Sequence, residues 1–322
     1  MVAAAWNNYL EIEKSLEKRG FIPFENFVWT RALNKKILLI NANCHGEFYR
    51  EYLYKIPGFL EEYCEFFLPS VAENEDGQIP ESWLRNCDIY LHQDIQAANS
   101  KSYRLSDEYV LPKLKDGCKA VCVPNFVGLG KAFYPSSMGL KKSVSVAFGS
   151  IWMFDQDRLL DKGYEKYHTI AGIKKLWLSE DAIEEDEIRR LFQDRLDKML
   201  QREKNWDIKV SDIVLNNYKD KKLFWDSGHP TNALMLPVCA RMAVFLGLQD
   251  IENTNITLEP RLDFVEAFVL PCVKKALRLN WTEEGTIRKG EWVFNKLEGS
   301  ELTVEEYIRQ YIWWFKGVYL EE

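Results

Sequence analysis

The sequence lacks the long apolar run that a signal peptide or a membrane-spanning helix requires. Its N-terminal segment reaches charged side chains by Glu11, and no stretch approaches the ~18 to 20 uninterrupted apolar residues of a transmembrane helix. A concentrated basic surface is also missing, because 42 basic and 49 acidic side chains are interspersed along the chain, with a formal charge of -7. Nucleic-acid binders need clustered positive charge. We therefore expect a cytoplasmic protein without a transmembrane segment and without a nucleic-acid partner.

The sequence also lacks the even number of cysteines that a full set of disulfide bonds would need. The seven cysteines are an odd number and lie mostly in apolar segments, which favours reduced thiols in a core over a disulfide framework. Cys118 and Cys122 have a spacing that zinc ligands can have, but they lie in a strand-like run and no second Cys/His pair follows. The sequence therefore predicts no metal site.

Apolar runs that alternate with helical patterns predict the fold class. The chain has 322 residues, of which 47% are hydrophobic and 14% aromatic, enough for a large core. Alternating strands and helices are typical of a parallel sheet covered on both faces. We predict an α/β fold with a three-layer arrangement, in which a parallel sheet is flanked by helices. The predicted strands are Lys36 to Cys44, Glu65 to Leu68, Cys87 to Gln93 and Lys119 to Pro124.

Changes in the sequence pattern divide the chain into three parts. Residues 1–35 are expected to form a helical extension, with an amphipathic helix at 5–19. Residues 36–248 form the predicted catalytic domain. Residues 249–322 are expected to add a mainly helical extension, whose aromatic helix at 305–316 would dock on this chain or on a second copy of it in a homo-oligomer.

Six segments inside the predicted catalytic domain have specific expectations. Helices are predicted at 80–84 and 106–115, and again at 182–204, 211–218 and 232–247, with Ser211 as an N-cap. Residues 136–180 are expected to be irregular and aromatic-rich, and could cover the site.

Polar residues directly after three predicted strands mark the candidate site, because ligands of parallel sheets bind at the carboxyl ends of the strands. Asn43, Cys44 and His45 follow the first strand, His92 and Gln93 end the third, and Asn125 follows the fourth. Gly128, Gly130 and Lys131 come next, and their backbone amides and cation could hold phosphate groups. An ordinary glycine turn is the alternative explanation.

The segment Asp226-Ser-Gly-His229-Pro230 adds a candidate base. A carboxylate three residues before an imidazole can accept from one ring nitrogen while the other faces the reaction. Cys44 lies between a buried strand and a helix, where helix amides and a nearby imidazole favour the nucleophilic thiolate. The alternative is that Cys44 is a small apolar residue at a tight junction.

These residues resemble two known families. A nucleophile after the first strand and a late Asp-x-x-His-Pro resemble the SGNH (GDSL) hydrolases, although Asn43-Cys44-His45 stands where those enzymes have Gly-Asp-Ser. The closer resemblance is to the WcbI-type capsular-polysaccharide biosynthesis family, over about residues 36–248. The similar segments are Ile37 to Cys44, Leu91-His92-Gln93, Arg202-Glu203, Ser211-Asp-Ile and His229-Pro230-Thr231-Asn232. The chain departs from that family at Asn41-Ala42, where glycine is usual, and at Asp94, where proline is more common.

The resemblance implies an SGNH- or flavodoxin-like core and an acetyltransferase that binds coenzyme A and modifies a sugar or a polysaccharide precursor. His229, oriented by Asp226, would be the general base, and Cys44 would either carry the acetyl group or shape the site. The oxyanion or the substrate would contact a set of polar side chains, with His45 in a supporting role. This set comprises Asn43, His45, His92, Gln93 and Asn125. Gly128, Gly130 and Lys131 would hold the phosphates of acetyl-CoA.

Two other functions fit the same residues. An esterase or deacetylase would use water as the acceptor, and a non-catalytic accessory protein would bind coenzyme A or a glycan with a structural cysteine. Three measurements distinguish these functions from one another: coenzyme A binding, acetate release without a sugar, and the effects of Cys44→Ala and His229→Ala.

Overall fold

A computed structural model of the chain describes residues 18–19, 32, 34–71, 74, 77–99, 102–140, 155–248, 256–259, 267–281 and 303–320. The chain divides into two compact units, each built from several segments. The first consists of Met1–Asn125, Asn205–Lys209 and Val238–Leu258, and the second of Phe126–Lys204, Val210–Pro237 and Glu259–Glu322.

The first unit contains the predicted parallel sheet. Its strands are β1 (Lys36–Asn41), β2 (Tyr63–Glu65), β3 (Cys87–His92) and β4 (Lys119–Cys122), in the order β2-β1-β3-β4 with every pair parallel. The fold class is therefore confirmed. The second strand begins two residues earlier than the predicted segment, and Phe66 N continues its ladder to Leu38 O at 3.0 Å.

The apolar run of β1 is continuous because the strand is buried on both faces. Ile37, Leu38, Leu39 and Ile40 are at most 3% exposed. Ile37 and Leu39 pack on one face with Trp83 and Tyr90. A strand between two covered faces has no solvent side, so it shows no polar alternation.

Helices of the first unit follow the strands. They are α1 (Gly46–Lys55), α2 (Phe59–Glu62), α3 (Glu81–Leu84) and α4 (Asp107–Val110). The helix predicted at 106–115 is shorter, since α4 gives way to a 3₁₀ turn at Leu111–Lys113. Helix α1 buries Phe48, Tyr49, Tyr52 and Leu53 on its inner side.

The strand order creates a switch point between β1 and β3. The chain leaves β1 to form β2 on one side and then crosses to form β3 on the other. The two connections diverge at the carboxyl ends of β1 and β3, the position where parallel sheets of this kind bind ligands. This places the segments after Asn41 and His92 at the expected ligand-binding edge of the sheet.

The second unit is mainly helical. Its elements are β5 (Ser137–Leu140), β6 (Asp155–Asp157), α5 (Arg158–Tyr167), α6 (Ile170–Trp177), α7 (Glu185–Glu203), α8 (Ser211–Asn217), α10 (Pro271–Leu277) and α11 (Val304–Lys316). Strands β5 and β6 pair antiparallel. Helix α9 (Asn232–Leu246) begins in the second unit and ends in the first.

The expectation of an irregular segment at 136–180 is wrong for the residues described there. Helices α5 and α6 lie in it, and both have side-chain caps. The Asp157 carboxylate accepts from the amides of Leu159 and Leu160, and the Thr169 hydroxyl accepts from Gly172 N. Such caps satisfy amides that the first turn leaves unpaired. Residues 141–154 of this segment lie outside the described residues.

The predicted N-cap role of Ser211 is also wrong. Val210 precedes α8 and no side-chain cap bond comes from the cap residue. Instead, the Glu203 carboxylate at the end of α7 accepts from Val210 N at 2.5 Å and from Ser211 N at 2.7 Å. A charged side chain seven residues upstream therefore does the capping.

The aromatic face of α11 docks within the second unit. Ile308, Tyr311 and Ile312 are fully buried, and Tyr307 stacks on Trp177 of α6 with ring centroids 5.6 Å apart. The predicted homo-oligomer stays a prediction.

Residues 1–35 are described only at 18–19, 32 and 34–35, so the predicted helix at 5–19 lies outside the described residues except at its end. Within the described ranges, each helix is too short or too polar to cross a bilayer. The same ranges hold no group of three or more His, Cys, Asp or Glu side chains arranged to bind a metal.

Candidate active site

The loop after β1 is organised by the side chain of Asn43. Its Oδ1 atom accepts from His45 N at 2.9 Å, and its carbonyl accepts from Gly46 N at 2.9 Å. Helix α1 starts directly after this turn. Gly46 suits this position because a Cβ atom there would lie 3.3 Å from Ala42 Cβ, a contact that Ala42 could relieve only by moving. Cys44 is thus held at a rigid junction between strand and helix.

Three amide side chains meet beside this loop at the carboxyl end of the sheet. Asn43 N donates to Gln93 Oε1 at 3.0 Å, and Gln93 Nε2 donates to Asn43 Oδ1 at 3.2 Å and to Pro124 O at 3.1 Å. Asn43 Nδ2 approaches Asn125 Oδ1 at 3.5 Å. Residues from three strand ends, predicted separately, therefore form one network. Gln93 uses both amide hydrogens inside it, so this residue positions Asn43.

Cys44 differs from most of the other cysteines in its exposure. All seven thiols are free, and only Cys44 and Cys118 are partly exposed. Cys118 lies beside the fully buried Cys87, and its pKa is lowered by a hydrogen bond with that thiol. Burial raises the pKa of Cys122 to about 12. Cys44 is therefore the partly exposed thiol at the ligand-binding edge of the sheet.

The two histidines near this loop are both buried. His45 is fully buried. His92 Nδ1 lies 2.9 Å from Asp107 Oδ1, and its ring stacks on Tyr90 with centroids 5.1 Å apart. Asp107 of α4 therefore lies beside the ring of His92, although its Oδ1 atom does not have the geometry of a hydrogen bond.

Asp226 and His229 of the second unit form a local clamp. Asp226 Oδ2 lies 2.6 Å from His229 Nδ1. Asp226 Oδ1 accepts from Gly228 N at 2.7 Å and from His229 N at 2.9 Å. Both carboxylate oxygens are thus engaged with one turn. The carboxylate accepts the Nδ1 proton, which leaves Nε2 as the basic nitrogen of the neutral ring.

A short antiparallel pairing holds the clamp in place. Trp225 N donates to His229 O at 2.8 Å, and Thr231 N donates to Leu223 O at 2.9 Å. The Tyr134 hydroxyl donates to Phe224 O at 2.8 Å. The side chains of Asp226 and His229 are only 11% and 13% exposed. This fixed, largely desolvated setting strengthens the carboxylate–imidazole interaction.

The glycine segment after β4 packs against the same turn. A Cβ atom on Gly130 would lie 2.6 Å from Asp226 O and 2.7 Å from Ser227 O, so only glycine fits. Gly128 has a φ of +91°, which other residues rarely adopt. Close backbone packing therefore accounts for Gly130, whereas Gly128 and Lys131 lie beside the clamp without such a constraint.

The predicted site residues form two groups. Asn43, Cys44, His45, His92, Gln93 and Asn125 belong to the first unit, and Gly128, Gly130, Lys131, Asp226 and His229 belong to the second. In the first unit, Asn43, Gln93 and Asn125 contact one another, and in the second, Gly130 packs against the turn that holds Asp226 and His229. That the thiol and the imidazole serve one reaction stays a prediction.

Comparison with known proteins adds the decisive finding. A family model described as polysaccharide biosynthesis enzyme WcbI matches residues 37–250, which is more than half of the chain. The chain belongs to the WcbI family. Members of this family are thus described as enzymes of polysaccharide biosynthesis.

A solved WcbI structure shows the same fold. It matches with a TM-score of 0.70 at 17% sequence identity, covering 88% of this chain and 91% of that one. That protein is described as a novel polysaccharide biosynthesis enzyme, in its native form without a disulfide bond between coenzyme A and a cysteine. No curated protein matches this chain.

Sequence reasoning missed two charged residues next to the predicted site residues. Asp107 Oδ1 lies 2.9 Å from His92 Nδ1, and Arg195 of α7 lies against Gly128. Arg195 and Arg202 are seven residues apart on α7, a spacing that places them on one face of a helix. This spacing is the sequence signal that could have pointed to a basic helix face, but it does not identify which segment that face contacts.

Proposed function

We propose that this WcbI-family chain is an acetyl-CoA-dependent O-acetyltransferase that acts on a sugar or a polysaccharide precursor. The Asp226–His229 clamp carries the proposal. An imidazole with one nitrogen bound to a buried carboxylate is suited to accept the proton of a hydroxyl group. The family supplies the polysaccharide context.

Coenzyme A as the acyl donor is supported by two observations. The similar WcbI structure is described as the native protein without a disulfide bond between coenzyme A and a cysteine, a description that names coenzyme A together with a cysteine of that protein. In this chain, Cys44 is partly exposed and follows β1 at the switch point of the sheet. We propose that Cys44 lies next to the thioester when acetyl-CoA is bound.

The transfer can follow two routes, which differ in the role of Cys44. In the first, the Cys44 thiolate attacks the acetyl carbonyl, the bond to the sulfur of coenzyme A breaks, and the coenzyme A thiolate takes up a proton. His229 Nε2 then removes the proton of the sugar hydroxyl, whose oxygen attacks the acetyl-cysteine; the bond between the acetyl carbon and Cys44 Sγ breaks, the Cys44 thiolate is regenerated, and His229 releases its proton to solvent. In the second, the hydroxyl that His229 activates attacks the thioester directly, the bond to the sulfur of coenzyme A breaks, and the coenzyme A thiolate takes up the proton that His229 releases, while Cys44 shapes the pocket. Both give an O-acetyl sugar and free coenzyme A.

The developing oxyanion needs hydrogen-bond donors that are fixed before the reaction. The side-chain amide of Asn43 is a suitable donor, because Gln93 holds this residue through both its backbone N and its Oδ1 atom. Asn125 is positioned next to it. A donor of this kind contributes about 3 to 4 kcal/mol to transition-state stabilisation.

The test is an acetyl-transfer assay with acetyl-CoA and a panel of sugar acceptors, using His229→Gln and Cys44→Ser. We expect His229→Gln to reduce kcat by on the order of 10²-fold or more, and His168→Gln, away from both groups of site residues in sequence, to leave it unchanged. Intact-protein mass spectrometry without acceptor decides the route. An acetyl adduct that is lost in Cys44→Ser and kept in the matched control Cys118→Ser supports the covalent route.

Three results would contradict the proposal. Acetate release at the same rate with and without a sugar would indicate an esterase. Acetyl transfer at wild-type rates by His229→Gln would exclude the assigned base. Coenzyme A or glycan binding without turnover would indicate an accessory protein.

A further inference from the structure

The segment 126–133 runs along one face of helix α7 in the second unit. Phe133 packs on Phe192 with ring centroids 5.8 Å apart. Gly128 lies next to Arg195, whose Nη1 atom would be 3.8 Å from a Cβ on the glycine. Arg202 Nη1 donates to Val127 O at 3.1 Å. Two arginines of α7, two turns apart, thus face a loop that contains two glycines.

Arg195 has hydrogen-bonding capacity that its neighbours do not use. Its Nε atom is buried and has no hydrogen-bond partner among the described residues. Asp194 is 3.9 Å away, beyond hydrogen-bond range, and its carboxylate pairs with Lys198 at 2.8 Å. The Arg195 side chain remains 30% exposed, so a ligand from solvent could reach the guanidinium group.

Lys131, in the same loop, is a second cation. It is only partly buried, and within the described part of the chain it has no ion-pair partner. Its neighbour Gly130 packs against the carbonyl groups of Asp226 and Ser227. Lys131 therefore follows directly after the contact that joins the loop to the turn of the candidate base.

We infer that Lys131, Arg195 and the backbone at Gly128 form a binding site for a phosphate ester, with Arg202 as a positioning residue that holds the loop. A guanidinium group presents a planar fork of donors that matches phosphate oxygens, and an ammonium group adds a point charge. A glycine with positive φ leaves the backbone open to close approach. An anion here would occupy donors that the protein itself leaves unused.

This inference rests on the proposed function. Two ligands could supply the phosphate ester. The phosphate ester is either part of the nucleotide of coenzyme A or the pyrophosphate of a nucleoside diphosphate sugar. Both would place the phosphate beside the turn that carries His229, since Gly130 touches that turn.

The experiment is calorimetry of the full chain with three probes: coenzyme A, dephospho-coenzyme A and UDP-glucose. The variants are Arg195→Gln and Lys131→Gln. Arg190→Gln is the matched control, because Arg190 is an exposed residue of the same helix, about 140° around its axis from Arg195. We expect Arg195→Gln and Lys131→Gln each to weaken one phosphate ligand by at least about tenfold, in a salt-dependent manner, and Arg190→Gln to change Kd less than twofold. Circular dichroism and Tm verify the fold of each variant.

The pattern across probes identifies the source. If coenzyme A weakens in Arg195→Gln and dephospho-coenzyme A does not, the site holds the 3′-phosphate. If both weaken, it holds the pyrophosphate of coenzyme A. If only UDP-glucose weakens, it holds the sugar nucleotide. Each of these supports the site.

Other outcomes separate the site from the proposed function. Coenzyme A binding that neither variant changes, together with unchanged UDP-glucose binding, overturns the site and leaves the acetyltransferase proposal standing. UDP-glucose binding that depends on Arg195, in a protein that does not bind coenzyme A, supports the site and contradicts the donor. Absence of binding for all three probes overturns both.

Discussion

At the scale of single residues, Asp226 has the most demanding role in the proposed site. One of its oxygens accepts from two backbone amides, and the other is 2.6 Å from His229 Nδ1. The first oxygen fixes the turn and the second fixes the tautomer of the ring. A substitution that alters only the oxygen next to His229 should therefore affect catalysis without affecting the fold of the turn.

Asp226→Asn makes this change. The asparagine oxygen can keep the two backbone contacts, but its NH₂ group would face His229 Nδ1 and donate to it, which forces the ring proton onto Nε2 and removes the base. We expect kcat to fall by on the order of 10²- to 10⁴-fold with little change in KM. Steady-state kinetics measure the loss, and ¹⁵N NMR of the imidazole reports the tautomer.

The control is Asp181→Asn, the same substitution at an exposed carboxylate that pairs with Lys275 at 3.1 Å. It should leave both readouts unchanged. Wild-type kcat in Asp226→Asn, or an unchanged ring tautomer, would refute the orienting role.

At the scale of elements, helix α8 depends on a side chain from the preceding helix. The amides of Val210 and Ser211 donate to one oxygen of Glu203, and Glu203 is only 8% exposed. Because these amides begin a helix, they have no partner within it. The carboxylate also lies favourably at the positive end of the helix dipole.

Glu203→Ala should therefore lower the free energy of unfolding by about 1 to 3 kcal/mol, because two largely buried donors lose their partner. Ser211→Ala should change it by less than about 0.5 kcal/mol, since the serine hydroxyl does not cap the helix. Urea denaturation of both variants measures the difference. Equal effects of the two substitutions would show that Glu203 is not the cap.

At the scale of the whole molecule, the described part of the second unit contains a buried carboxylate that couples its stability to pH. Asp157 accepts from the Ser136 hydroxyl at 2.8 Å and from Trp177 Nε1 at 3.0 Å, besides capping α5. Tyr311 of α11 accepts from the amide of Asp157 at 2.9 Å. Burial raises the pKa of Asp157 above its ordinary value of 3.8.

Neighbouring groups do not neutralise this carboxylate. Tyr311 also contacts Asp161 Oδ1 at 3.1 Å, and Asp161 pairs with Lys316 at 3.0 Å. Burial raises the pKa of the Tyr311 hydroxyl, so it stays neutral, and burial likewise raises the pKa of Cys272 nearby. The raised pKa means that the folded protein holds the proton of Asp157 more firmly than the unfolded chain does.

The sign of the pH dependence follows from this difference. As the pH rises above 3.8, the unfolded chain releases the proton first, so the contribution of Asp157 to stability decreases until the pH exceeds the folded pKa. We expect the free energy of unfolding of the wild type, minus that of Asp157→Asn, to fall as the pH rises from about 4 to 7. Urea titrations across this range measure it.

Tyr311→Phe is the control, because it removes the hydroxyl that touches the backbone of Asp157 and keeps the carboxylate. It should lower stability at every pH and retain the wild-type slope. A flat or rising difference between the wild type and Asp157→Asn would contradict the assignment.

Local interactions explain what could be read from the sequence. The uninterrupted run of β1 indicated a buried parallel strand, and alternation with helices indicated the fold class. Asp226 and His229 are three residues apart, so one turn suffices to bring them into contact. The caps of α5 and α6, Asp157 and Thr169, are also local. The prediction nevertheless missed both helices, because the aromatic composition of the segment suggested irregular structure.

Contacts between distant residues required the tertiary structure. Gln93 holds Asn43 from 50 residues away, and Asn125 lies 82 residues from Asn43; these contacts depend on the strand order β2-β1-β3-β4, which sequence patterns do not specify. Arg195 beside Gly128 depends in the same way on how α7 packs. The sequence by itself thus determined the strands of the parallel sheet and the Asp226–His229 clamp, because the apolar run of each strand and the contact within the clamp each span only a few residues. Only the tertiary structure decided which strand ends and helix faces meet, because side chains with the same local pattern can pack against many partners.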